Sequence, residues 1–341
     1  MGIQASAYQL VHPSFVEPEF LTQITQSSGF VDLMADSQMR VRLAEDDLAV
    51  YMKTLNVRTK AAAGQTGFNE LPGVDIAAAM ISTSTYLIQL AAQYNHHDTR
   101  AGANWGFSVP QAYQLGLRQG AFLLARDAFL YGMNPQLGEG LTNAAGSTAV
   151  NLPPDQYGNT TVLTYDNGAM AFFLAGQIQA LKTRTFQMGQ GKEFTICGPQ
   201  RTLGQFEYNV VQLTQFQREG SGTESTKGVL ESILMDNKDK LNWVYDDTLI
   251  GQGSGSTDLV LLSMPKVDNP KKMGSVDTNV FSNITPNNAT CVTQYADMAA
   301  PREILSPGPR GMTDVLHEWR ISSGWVPRTQ ALTQISMAYS S

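Results

Sequence analysis

The sequence predicts an α+β chain, and three kinds of run carry that expectation. Residues 108–132 read as one long helix with a glycine stop. Residues 48–60 and 315–321 alternate with the period of two of a half-buried strand. Residues 194–197 and 259–262 are short apolar runs of the length of a buried strand. At 341 residues the chain can bury a sizeable core and hold two domains.

In chain order, residues 1–45 are weakly periodic. Residues 17–24 suit a short helix and residues 30–34 a second short element, but the apolar anchors are too few for a separate core. From 48 to 60 Leu55, Val57 and Thr59 point one way and Thr54, Asn56 and Arg58 the other. A small-residue stretch, 61–73, closes on Pro72-Gly73, and a strand-like run returns at 85–90, which together make a protruding hairpin. The long helix follows. Ser108 stands as N-cap, Gln111 completes a capping box, Pro110 falls in the first turn, and Gly132 stops the run. Roughly 23 residues would span about 35 Å. Only Arg118, Arg126 and Asp127 are ionisable in it. Tyr113, Leu117, Leu124, Ala128 and Tyr131 make one apolar stripe, and Leu115, Phe122 and Phe129 a second. Two stripes predict a helix covered over much of its circumference, as in a subunit packed among copies of itself.

Residues 151–165 are loop and turn. A helix over 166–185 has Asp166 as N-cap and Met170, Phe173, Leu174, Ile178 and Leu181 as its apolar face. Another helix covers 225–234, and 251–256 is a Gly/Ser linker into the strand at 259–262. Residues 264–300 read as turn and irregular structure. The last segment alternates, with Val315, His317, Trp319 and Ile321 on one face and Leu316, Glu318 and Arg320 on the other, and Gly324 turns into a final run, 335–339.

Composition and motifs leave little room for catalysis. Charged residues are 16% of the chain, against about 25% in an average domain. Interfaces tend to lose Lys and Glu, so this favours a subunit with much of its surface in contact, or a large interior. Net charge is -7 and no Lys/Arg cluster offers a phosphate-gripping patch. Cys197 and Cys291 give neither a disulfide framework nor metal spacing. The first fifteen residues lack a secretory pattern, no apolar run approaches membrane-span length, and the sequons at Asn159, Asn283 and Asn288 carry little weight. His96-His97-Asp98 is the one cluster of metal-ligand types, and adjacent histidines on a strand end would face opposite ways. Gly189-Gln190-Gly191 and Gly251-Gln252-Gly253 complete no dinucleotide fingerprint, Lys227 lacks the Gly-Lys-Ser/Thr context, and no serine sits in a nucleophile elbow. Cys197 belongs to a buried strand, and the neighbouring pairs Asp46-Asp47 and Asp246-Asp247 suit loop starts and caps. No catalytic, cofactor or metal residues are expected.

Three segments carry a resemblance to a known family. Ala128-Phe129-Leu130-Tyr131-Gly132 ends the long helix, Gly140-Leu141-Thr142-Asn143 follows as a turn, and Glu318-Trp319-Arg320-Ile321-Ser322-Ser323-Gly324-Trp325-Val326-Pro327-Arg328 lies near the C-terminus. These resemble the spine helix, its following loop and the closing strands of tailed-phage major capsid proteins of the Hong Kong 97 type. The order of elements agrees along most of the chain. The resemblance implies an N-terminal arm (1–45), an extended hairpin loop (46–95), a spine helix and peripheral domain (96–150), an axial domain (151–300) and C-terminal strands (301–341).

It also implies assembly rather than enzymatic activity. Hexamers and pentamers would close into an icosahedral virion head around double-stranded DNA held without sequence-specific binding, and a mildly acidic wall confines such a polymer without sticking to it. Portal and scaffolding proteins would be partners, with a decoration protein left open, and assembly would take place in the bacterial cytoplasm. The hairpin begins by about residue 48, which leaves a separately encoded scaffold, or none, as the expectation. Candidates for contacts between subunits are Lys53, Arg58, Lys60, Phe68, Glu70, Arg118 and Arg126. Lys53 and Lys60 are also the hairpin lysines that a covalent Lys–Asn staple of the kind some relatives make would need. The rival readings are an encapsulin-type cellular shell and a soluble oligomeric enzyme.

Overall fold

The computed structural model describes residues 33, 41–59, 74–104, 106, 108–187, 189–211, 224–267, 292–298 and 301–340. Strand β1 (Val41–Leu43) is short, and β2 (Ala49–Thr59) and β3 (Val74–Asn95) follow as an antiparallel pair, in register from Ala49 opposite Ser84 to Thr59 opposite Val74. At 22 residues β3 is far longer than the usual ~5–6. Its first half pairs with β2. Its second half pairs with β12 (Met312–Ser322), from Asn95 opposite Met312 to Thr85 opposite Ser322. The sheet order is β1, β10 (Ala296–Met298), β12, β3, β2, with β11 (Arg302–Pro307) also paired to β12. The return strand is thus much longer than the expected 85–90. Its extra residues include Ala77-Ala78-Ala79, Ser82 and Ser84, poor or indifferent strand formers, and pairing with two partners in succession outweighs that weakness. The expected hairpin tip, 61–73, lies outside the described residues.

The alternation in β12 holds: Val315, His317, Trp319 and Ile321 are buried, and Trp319 lies opposite Ile88 of β3. Part of the 264–300 segment is regular after all. Residues 268–291 lie outside the described residues, but β10 bridges β12 and, in parallel, β1, with Arg42 paired to Asp297 at 3.1 Å. The end of the expected N-terminal arm is therefore a sheet strand.

Helix α1 (His96–Asn104) begins where β3 ends, so His96 and His97 open a helix rather than finish a strand. The Asn95 side chain accepts from the His97 N–H at 2.5 Å, and Asp98 accepts from the Asn95 N–H at 3.2 Å. Helix α2 (Val109–Leu130) is the expected long helix. Ser108 occupies the N-cap in extended backbone, but neither its hydroxyl nor a capping box closes. Pro110, at the second helical position, removes one of the two N–H groups that a capping hydroxyl reaches.

The C-terminal end of α2 is closed by other parts of the chain. Ala128 O accepts from the Gly324 N–H (3.0 Å), Phe129 O from Leu141 (3.2 Å), Leu130 O from Thr142 (3.0 Å), and Tyr131 O from the Asn143 amide (2.8 Å). Gly140 N–H in turn donates to Gly324 O at 2.8 Å. Gly132 leaves the helix at φ 75°, and Gly140 faces it at φ 88° with so little space that a Cβ on either would strike the other strand of the loop. A Cβ on Gly324 would run into the Phe129 carbonyl. Glu139 is buried at this junction and accepts from the Asn134 N–H (3.0 Å), the Ser323 hydroxyl (2.7 Å) and the Tyr86 hydroxyl (3.0 Å). Burial first, then the bond to Glu139, pushes the Tyr86 phenol up to about 12.

The second sheet has the order β4 (Thr148–Asn151), β13 (Leu332–Met337), β9 (Asp258–Ser263), β5 (Glu193–Gly198), β8 (Lys240–Tyr245). Its helices are α3 (Asn167–Arg184), the short α4 (Gln200–Leu203) and α5 (Gln205–Tyr208), and α6 (Thr226–Asp236). A two-stranded ribbon, β6 (Val210–Val211) with β7 (Glu224–Ser225), precedes α6. The expected Asp166 cap forms, accepting from Ala169 N–H, and Ser225 caps α6 by accepting from Gly228 N–H. The apolar face of α3 packs with Leu230 and Leu234 of α6 on Phe194, Ile196, Val260 and Leu262. The alternate residues Cys197, Leu259 and Leu261 face the other way, into a second core with Phe129, Leu130, Trp319 and Ile321. Strand β9 is buried on both faces, and the end of α2 is wedged between the two sheets. Among the described residues no helix is long and apolar enough to cross a membrane.

Closure of the junction depends on missing Cβ atoms. Gly324→Ala and Gly140→Ala should each cost about 2 kcal/mol or more in denaturant melts, whereas Gly116→Ala and Gly176→Ala, helical positions with open space around them, should gain about 0.5–1 kcal/mol. Equal effects in both sets would remove the junction from its central place.

Candidate assembly surfaces

Helix α2 buries one of its two predicted stripes within the chain. Leu117 is buried and Ala121, Leu124 and Ala125 are half-buried against Ile88 and Leu90 of β3, and Ala128 is fully enclosed. In the second stripe only Phe129 is buried. Leu115 is 53% and Phe122 41% exposed, and Tyr113, of the first stripe, is also exposed and stacks on Tyr94 with ring centroids 6.0 Å apart. One copy of the chain thus covers about half of what the sequence says should be covered.

The candidate contact residues divide accordingly. Arg118 is exposed on α2. Arg126 is buried and paired with its neighbour Asp127 at 2.9 Å, so the half-exposed Asp127 carboxylate is the more accessible charge there. Lys53 and Arg58 hold hairpin register positions opposite Met80 and Asp75. Lys60, Phe68 and Glu70 lie outside the described residues. Leu48, Tyr51, Met80 and Leu87 add an exposed apolar series at the base of the hairpin, and Leu305 is exposed on β11. Scattered apolar side chains are ordinary on a monomer; several gathered on one hairpin base and one helix make a candidate contact surface.

A groove of about 580 Å³ opens where β5 and β8 end, lined by Arg201, Glu207, Tyr208, Tyr245, Asp247 and Ile250 among others. Asp246 and Asp247 act as the caps their spacing suggests: Asp246 accepts from Thr248 N–H at 3.0 Å and Asp247 from Gln200 N–H at 2.8 Å. Glu207 pairs with Lys227 (2.7 Å) and accepts from the Tyr245 hydroxyl (2.8 Å). Those two bonds hold its carboxyl below the usual range, and burial together with Glu207 pushes Tyr245 up to about 12. The groove offers no nucleophile with a base beside it. Its aromatic walls and acidic rim suit an apolar or cationic side chain. Sequence reasoning missed it, because α4 and α5 are four residues each and leave no periodic trace.

Behind the groove, Asp258 is buried, which alone would raise its pKa. Bonds from Arg201, Thr202 and the Gly251 N–H outweigh that and hold the carboxyl below its ordinary range. A carboxyl whose folded pKa lies below its unfolded value of about 3.9 adds stability above that value and loses it as pH falls through the folded one. Asp258→Asn should therefore lower the melting temperature at neutral pH and flatten its decline below about pH 4. An acid limb unchanged by the substitution would contradict this role.

No protein-family model matches the chain, and no curated protein sequence does. Solved structures do. The capsid of Myoviridae phage XM1 aligns over 95% of this chain and 96% of its own, with a TM-score of 0.66 at 10% identity. The capsid of the native GTA particle covers 96% of each chain with a TM-score of 0.56 at 10% identity. The capsid structure of cyanophage P-SCSP1u covers 97% of this chain and 94% of that one, with a TM-score of 0.53 at 12% identity. At such identities the likeness is one of fold, and it runs nearly end to end: this chain has the α+β Hong Kong 97 type phage capsid fold.

Proposed function

We propose that this chain is the major capsid protein of a tailed bacteriophage, assembling as hexamers and pentamers into the icosahedral head that encloses the double-stranded DNA genome. The observation that carries the reading is the near full-length fold match to phage capsids. The exposure of Leu115 on α2 and of the apolar side chains at the base of the hairpin supports it, because apolar surface of this kind fits against a neighbour. In this reading the sheet built on β3 and α2 is the peripheral domain, the β4–β8 sheet is the axial domain, and the arm and hairpin lie across adjacent copies. Such contacts join different patches on two copies, so they close into rings. Bending at the base of hairpin and arm lets one sequence fill non-identical positions.

Lys53, Arg58, Lys60, Phe68, Glu70 and Arg118 belong to these contacts, with Asp127 in place of the buried Arg126. An exposed ion pair among them is worth about 0–1 kcal/mol, so single charge changes are close to silent. Portal and scaffolding proteins are the expected partners in a bacterial cytoplasm, and the product is a virion component. A chain with net charge -7 and no basic cluster confines DNA without gripping its phosphates. The role is structural, and the encapsulin and enzyme readings are not favoured.

Electron microscopy and sedimentation of the chain expressed alone test the proposal. Closed shells or hexamer sheets are expected, and particle size separates a virion head from a small uniform encapsulin. A dimer or tetramer that stays small at high concentration, with its genomic neighbours co-expressed, would overturn it. Deleting residues 61–73 should leave a folded monomer that forms no shells; normal shells from that deletion would remove the hairpin tip from the contact.

A further inference from the structure

We propose that the two ends of the axial-type sheet are plug and socket: Phe186 of one copy enters the groove beside Tyr208 of the next. The inference rests on the shell reading, since it requires successive copies in a ring.

The plug sits in the turn that ends α3. Phe186 is 87% exposed and held at φ 56°. A bulky side chain costs about 1–3 kcal/mol in that left-handed region, and exposing a phenyl ring to water recovers none of it. Lys238, also at φ 56°, tops the adjoining turn, so two of the three non-glycine residues at positive φ among the described residues share this end. The turns are tied together: Lys182 pairs with the buried Asp239 at 2.6 Å, Asp239 accepts from Lys192 N–H, and Gly191 N–H donates to Asn237 O.

The socket is the groove at the opposite end of the same strands. Parallel β5 and β8 begin at the plug, with Glu193 opposite Lys240, and finish at the groove, with Gly198 opposite Tyr245. Six residues at about 3.3 Å each keep the ends about 20 Å apart, so a copy cannot fill its own groove. The cleft volume, about 580 Å³, lies in the ~300–1,000 Å³ range that takes a bulky group. Tyr208, 78% exposed, Tyr245 and Ile250 supply apolar wall.

Charge runs the same way. At the groove, Asp258 offsets Arg201 and Glu207 offsets Lys227, which leaves Asp247 on the lining as the excess charge. At the plug, Asp239 offsets Lys182, and Arg184, Lys238 and Lys240 outnumber Glu193 and Asp236. A positive end bearing an aromatic knob meets a negative end bearing an aromatic cleft. Joining them head to tail is a heterologous contact.

Two variants test the contact. Oxidised particles of Phe186→Cys combined with Tyr208→Cys should give a ladder of linked subunits on non-reducing gels, ending at pentamers and hexamers, with no ladder from either single variant. Phe186→Asn tolerates the left-handed backbone, so the monomer's melting temperature should hold or rise while shell yield falls about tenfold or more. Wild-type shells with no ladder from the double variant, or full assembly by Phe186→Asn, would overturn the plug alone. A wild-type chain that never exceeds a small oligomer would overturn the shell reading, and the plug with it.

Discussion

The closed C-terminal end of α2 is the constraint on which the rest depends. A helix leaves its last carbonyls without partners, and burying one unpaired costs about 1–3 kcal/mol. Here the end of the helix is driven into the middle of the protein, with Ala128, Phe129 and Leu130 fully buried. The missing partners come from the 140–143 turn and from Gly324, which approach so closely that no side chain is tolerated at the crossing points. The same few hydrogen bonds tie the helix to the strand that closes the first sheet and to the loop that leads into the second. Glu139, buried beneath them with three donors, fixes the turn's orientation.

From that junction the two sheets form one body. Leu259 and Leu261 of β9 face the core around α2, and Val260 and Leu262 face the core under α3 and α6. A strand buried on both faces transmits position from one core to the other, because close-packed interiors yield little. What stays exposed lies at the margins: Leu48, Tyr51, Met80 and Leu87 at the hairpin base, Leu115 on α2, and the plug and groove ends of the second sheet. That division suits a subunit that keeps its shape while its contacts vary.

The parts legible in the sequence were those with a strong local cause. Asp166 caps its helix because its side chain finds the N–H group its position predicts. Gly132 and Gly140-Leu141-Thr142-Asn143 mark the junction because the loop demands small and turn-forming residues there. The alternation from Val315 to Ile321 survives intact. Other features depend on partners distant in sequence. The length of β3 comes from two successive partners, and β10 lies in a stretch rich in Pro and Asn. Phe186 gave no signal at all, since an exposed phenylalanine past a helix end looks like any other until its backbone angle is known. The two-stripe reading of α2 holds for only half of the helix in a single copy, and under the proposed function the other half falls to the assembly.

A cryo-electron microscopy reconstruction of the assembled particle tests the central claim most directly: that one rigid body is repeated and its open faces are closed by copies of itself. The account predicts an unchanged junction at Gly132, Gly140 and Gly324 in every copy, the Leu115 and Phe122 stripe covered by protein, and differences between copies confined to hairpin and arm. A particle in which that stripe faces solvent, or in which the two sheets shift relative to each other between copies, would contradict it.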